Sequence, residues 1–106
     1  MIPDQTVEKA LEYLRDTAEE HAKAKALSKF MDHKRKVVRG EQFLEATGTV
    51  AEREAKAESS QAYQTCLKEL RNAAYDYELL DARREQAKLN IEVWRTEEAS
   101  RRSGHV

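Results

Sequence analysis

Metal binding or nucleophilic catalysis in this 106-residue chain would have to draw on three histidines, one cysteine and the adjacent serines Ser59-Ser60. Their spacing suits neither. His21, His33 and His105 do not form H-x-x-x-H, and none has a Glu three residues before it. The zincin pair and the Glu-x-x-His pair of di-iron bundles are therefore both missing. Ser59 and Ser60 have no neighbouring His, and Gly40, Gly48 and Gly104 are too scattered to make a P-loop or G-x-G-x-x-G phosphate cradle. The expectation is a protein that is not an enzyme and takes no metal, cofactor or small-molecule substrate. Cys66 alone cannot close an internal disulfide; it fits a reducing compartment and reads as a small buried apolar group.

Chemistry of another kind is concentrated between residues 21 and 40. The chain carries 19 basic and 20 acidic residues for a net charge of −1, which excludes a globally basic nucleic-acid binder. Yet residues 21–40 hold seven Lys/Arg against the lone acid Asp32. At about 100° per residue, Lys29, Lys36 and Arg39 fall within about 40° of Lys25, as does Asp32. Leu27, Phe30, Val37 and Val38 fall on the opposite side as the expected apolar face. Arg35 flanks the basic stripe and Lys34 projects near the seam. Like charges this close oppose one another, and the stripe lacks the i+4 Glu residues that the rest of the chain uses freely. An anionic partner would offset the repulsion, either an acidic stretch of a sister subunit (Glu8 to Glu20, Glu52 to Glu58) or a polyanion. Stripes gathered on one surface of an oligomer would form a multivalent, salt-sensitive track for a phosphate backbone. Tyr13 and Tyr75, off the seams, are available either to stack on bases or to pack at a subunit contact.

The elements that position these residues are helices. Ala, Glu, Lys, Arg, Leu and Gln dominate, and period-two alternation is missing, so the chain reads as all-α. The first helix spans about 5–46, with its N-cap among Asp4 to Thr6 and a phase slip in Ala22-Lys23-Ala24-Lys25-Ala26. A turn at 47–49 follows: Gly48 suits a left-handed position, and Thr49 with Glu52 matches a capping box. The second arm spans about 50–100. A break or re-cap at Ser59-Ser60 would make it a short helix and a long one; otherwise it is one helix. From Tyr63 the seam is regular: Cys66, Leu70, Ala73, Tyr77, Leu80, Arg84, Ala87, Ile91 and Trp94 follow in steps of three and four, as in a coiled coil. Arg84 breaks the apolar pattern and is expected to snorkel or to meet a carboxylate. Residues 101–106 read as a flexible tail. The whole is expected to be one helical domain, a long antiparallel, coiled-coil-like hairpin. A second stripe, Leu67, Ala74 and Val93, predicts a homo-oligomer, with Leu70, Tyr77, Leu80, Ile91 and Trp94 at its interface.

The basic stretch His33-Lys34-Arg35-Lys36-Val37-Val38-Arg39, the short turn, the Thr49 to Ala57 stretch and the long helix ending Ile91 to Arg102 together resemble small proteins of bacteriophage recombination modules. In size and layout the chain is similar to the UvsY-type recombination mediators. That resemblance implies an oligomer of helical hairpins that binds single-stranded DNA, loosens single-strand-binding protein and helps to load a RecA-type recombinase. It implies DNA contacts at Lys29, Lys34, Arg35, Lys36 and Arg39, to which the stripe adds Lys25, and assembly through Leu80, Ile91 and Trp94. The chain departs from the family in being shorter and more acidic outside the stripe, and its basic run does not repeat the family's motif residue for residue.

The competing expectation is a structural or scaffolding protein whose basic stripe is an intersubunit or partner-binding face. Either way the chain is expected to be soluble and cytoplasmic, in the host cytoplasm if phage-encoded, with no membrane partner. No stretch approaches the roughly 18 consecutive apolar residues of a span, and Met1-Ile2-Pro3-Asp4 lacks a basic n-region.

Overall fold

The computed structural model describes residues 1–104; His105 and Val106, two of the six residues of the expected tail, lie outside the described residues. It is all-α, with α1 over Asp4–Asp16, α2 over Ala18–Glu45, α3 over Val50–Ser59 and α4 over Gln61–Ser103. The chain divides into two compact units, Met1–Ala22 with Glu78 onward, and Lys23–Tyr77. Helices α2 and α4 contribute a segment to each.

In the first unit α1 runs antiparallel to the second half of α4. The contacts ascend one helix as they descend the other. Ile2 N–H donates to Glu97 at 2.9 Å, Trp94 Nε1 to Asp4 at 2.9 Å, and Arg84 reaches Leu14 and Thr17. His21 Nε2 and Asp81 Oδ1 lie 2.9 Å apart. Val7 and Ala10 of α1 and Leu80 and Ala87 of α4 are buried.

The first arm is two helices, where the sequence predicts one. Thr17, at φ −100° and ψ 1°, parts α1 from α2 five residues before the phase slip. A continuous helix would give the Leu14 carbonyl to the Ala18 N–H. Here that carbonyl accepts from Arg84 Nη1 at 2.7 Å, and the same nitrogen donates to Thr17 Oγ1 at 2.7 Å. Thr17 Oγ1 in turn donates to the Tyr13 carbonyl. Arg84 therefore neither snorkels nor meets a carboxylate; it binds the polar groups of the helix break. The N-terminal expectation also changes. Pro3, not Asp4 or Thr6, occupies the N-cap, and its carbonyl accepts from the N–H groups of Thr6 and Val7. At the other end α4 continues to Ser103 rather than fraying at Ser100, supported by an Arg101–Glu98 ion pair one turn apart.

In the second unit α2 lies antiparallel to the first half of α4. Lys34 Nζ sits 3.5 Å from Glu69, while Leu27 and Met31 share a shallow groove with Ala73 and Asp76. Between the helices, residues 46–49 form the turn, with Gly48 at φ +117°. A Cβ there would be strained and would run into the Glu52 side chain. Thr49 caps α3 by accepting from Glu52 N–H at 3.2 Å. The cations of α3 cover the carbonyl end of α2: Arg53 donates to the Phe43 carbonyl with its guanidinium 4.1 Å over the Phe43 ring, and Lys56 donates to Thr47. The break at Ser60 is present, and one side chain serves both helices. Its hydroxyl donates to the Ala57 carbonyl at 2.7 Å and accepts from Tyr63 N–H at 3.2 Å. Ala57 is wholly buried, so α3 is held close to its neighbours. Replacing Thr49 with Ala should cost about 1 kcal/mol through the lost cap, and Gly48→Val about 1–3 kcal/mol through backbone strain, both measured as shifts in urea midpoint at unchanged slope.

Candidate nucleic-acid interface

The seam of α4 packs inward along its length. Cys66, Ala73, Leu80 and Ala87 are buried, and Tyr63, Leu70, Tyr77, Arg84, Ile91 and Trp94 are half-buried. Steps of three and four put all ten on one helix face. The five residues expected at a subunit interface, Leu70, Tyr77, Leu80, Ile91 and Trp94, therefore lie on the face that packs within the chain. Of the second stripe, Leu67 and Ala74 are half-buried and Val93 is exposed.

The rotation of α2 about its axis differs from the expected one. Met31 is its buried residue, with Ala24, Ser28, Arg35, Val38 and Gln42 half-buried on the same side. Leu27, Phe30 and Val37 turn outward, each more than half exposed. The apolar face expected to lie across from the basic stripe is thus split. Val38 is half-buried on the side of the buried Met31, and Leu27, Phe30 and Val37 share the solvent side with lysines. Ala73 of α4 lines the same groove as Met31, so a small side chain stands where α2 buries its large one.

The six expected DNA-contacting residues fall into two sets of three. Arg35 donates through Nε to Asp32 at 2.9 Å, and this hydrogen bond pushes its guanidinium pKa up, with burial opposing. Arg39 donates to Glu58 of α3 through Nη2 at 2.9 Å, and Lys34 faces Glu69 of α4. Lys25, Lys29 and Lys36 are exposed and have no ion-pair partner among the described residues. They lie along one line of α2 over roughly 16 Å, from 1.5 Å per residue. Lys25 and Lys29 stand at i and i+4, where like charges destabilise a helix by about 0.2–0.5 kcal/mol. The carboxylates that neutralise the other three come from α3, from α4 and from within α2.

Phe30 escapes a reading based on charge. It is 60% exposed, and its i+3 and i+4 neighbours on the helix surface are His33 and Lys34. Val37, 57% exposed, continues the same line one heptad later, and Leu44 another heptad on. The spacing of Phe30, Val37 and Leu44 carried the signal, since a period of seven keeps them on one side. Tyr13 is half-buried, whereas Tyr75 is exposed on α4.

Among the described residues no group of His, Cys, Asp and Glu could hold a metal ion, and no helix is long and apolar enough to cross a membrane. Cys66 is buried as a free thiol. No family model matches the chain, and no curated protein or solved structure is significantly similar to it.

Proposed function

We propose that the protein is a self-associating helical hairpin that binds single-stranded DNA along the solvent face of α2 and serves as a recombination mediator. The observation that carries the reading is the line of Lys25, Lys29 and Lys36, whose charges meet no carboxylate among the described residues. Three lysines release few counterions, so one subunit would bind weakly. Several subunits on one strand convert that weak contact into avidity. Leu89 and Val93 of α4, both exposed, offer apolar area for the coiled-coil-like assembly this requires. Displacing single-strand-binding protein and loading a RecA-type recombinase are the roles that the resemblance to UvsY-type mediators suggests for such a complex, acting in the cytoplasm of a phage host.

A scaffolding role is the second reading. It is favoured by Lys34, Arg35 and Arg39, which already have carboxylate partners and so leave only part of the basic segment for a ligand. Fluorescence anisotropy of a labelled single-stranded oligonucleotide, with solution mass measured in parallel, separates the two. The mediator reading expects binding at about 50 mM salt that weakens by at least tenfold at about 200 mM, and an oligomer that persists. An oligomer that binds no oligonucleotide at low salt would leave the scaffold.

A further inference from the structure

We propose that Phe30 is a base-stacking residue that makes the α2 face select single-stranded over duplex nucleic acid. The inference rests on the reading of α2 as the DNA-binding face and adds the apolar part of the recognition.

Two properties single out Phe30 among the aromatic side chains. It is exposed, and it stands on the helix that carries the exposed Lys25, Lys29 and Lys36. Leaving a phenyl ring and the neighbouring Leu27 and Val37 in water is unfavourable, so a partner that covers them is favoured. That partner must also tolerate the exposed Lys29 and Lys36 of the same helix, with His33 one turn from the ring, which favours an anion; Lys34, also one turn away, already faces Glu69. A single nucleic-acid strand combines the two requirements, offering flat base faces beside a phosphate backbone. A duplex carries the phosphates but keeps its base faces stacked inside.

The other aromatic groups are less suited. Tyr63 and Tyr77 are half-buried in the α4 seam, and Trp94 is engaged by Asp4. Phe43 lies under the Arg53 guanidinium. Tyr75 is exposed but stands beside Asp76 and one turn from Glu78, which would repel a phosphate backbone.

The lysines and the ring should separate experimentally. Phosphate contacts set the salt dependence and do not distinguish strand number, whereas stacking is insensitive to salt and needs an open base. The test is anisotropy titration of a labelled thymidine oligonucleotide, and of a duplex of equal length, at two salt concentrations, with wild type, Phe30→Ala and Phe30→Trp. Phe30→Ala should weaken single-strand binding by on the order of tenfold, with salt slope, solution mass and any weaker duplex binding unchanged. Phe30→Trp should retain affinity and show fluorescence quenching by the oligonucleotide that wild type lacks.

Equal losses on both ligands, or no loss, would overturn the stacking role while leaving the lysine face intact. Failure of the wild type to bind either ligand at low salt removes the DNA-binding reading and this inference with it. A drop in solution mass in Phe30→Ala would assign the ring to a second copy of the chain and overturn the proposal. So would a loss confined to binding of anionic phospholipid vesicles.

Discussion

Reversing Lys25, Lys29 and Lys36 together to Glu is expected to weaken single-stranded DNA binding by on the order of a hundredfold or more at low salt. Each lysine that neutralises a phosphate contributes about 0.7 to the slope of log affinity against log salt on a single strand. Losing all three should flatten that slope by about 2 per bound subunit. The fold should not change. The three side chains are exposed and touch no carboxylate among the described residues, and Lys and Glu have nearly equal helix propensity. Far-ultraviolet circular dichroism and the urea midpoint are the controls. The same change in net charge placed at Lys9, Lys68 and Lys88 should have a far smaller effect, because those lysines are not aligned on one helix face. If the aligned reversal leaves affinity and slope unchanged, the line of lysines is a solvated face. If it lowers the solution mass instead, the stripe joins subunits.

The largest effect on stability is expected at Arg84. Its Nη1 serves the Leu14 carbonyl and the Thr17 hydroxyl, both at 2.7 Å, at the point where the first arm breaks. Arg84→Met keeps much of the aliphatic stem and removes both charge-assisted hydrogen bonds. It should cost about 2–3 kcal/mol, since the bonds are strong and the carbonyl and hydroxyl are left part-buried with fewer partners. Part of the loss is offset: Arg84 Nε is buried without a hydrogen-bond partner, a desolvation cost that the methionine would remove. Arg84→Lys should recover little, because one ammonium at the end of a flexible stem does not reproduce the planar guanidinium fork. Equilibrium urea unfolding measures all three proteins. A loss below about 0.5 kcal/mol in Arg84→Met would mean that the break at Thr17 is held by α1 and α2 themselves.

These two sites differ in how far they could be read beforehand. The lysine line is legible because it depends on local geometry alone: a helix of known period turns positions 25, 29 and 36 to one side whatever surrounds it. The pairing of Arg35 with Asp32, three residues before it, is equally local, but the separation of those lysines from Lys34 and Arg39 is not legible. Glu69 and Glu58 lie 35 and 19 residues away along the chain from their partners Lys34 and Arg39 and meet them only when α3 and α4 fold back. Arg84 is an intermediate case. Its intrusion into an apolar seam is visible in the pattern and predicts a polar partner, but a backbone carbonyl released by a helix break has no signature in residue type. Thr17 itself is an ordinary helix residue by propensity, with neither Gly nor Pro beside it.

The two ends of α3 follow the same division. Thr49 and Ser60 both act as caps through bonds to residues three positions away, so their roles follow from short-range chemistry. The covering of the α2 carbonyl end by Arg53 and Lys56 depends on the angle at which α3 returns, set by Gly48 and by the wholly buried Ala57.

By itself the sequence determined that the chain is helical, where the turn at Gly48 falls, which residues share the α4 seam, and that positive charge gathers between residues 21 and 40. All of these follow from helix period, capping chemistry and composition, which act over a few residues. Tertiary structure alone decided that Phe30 and Val37 face outward while Met31 faces in, that the first arm breaks at Thr17, and that Lys34 and Arg39 are already paired with carboxylates of other helices. Periodicity tells which side chains lie on the same face of a helix, but the rotation of that helix against its neighbour is set by the volumes that must pack between them.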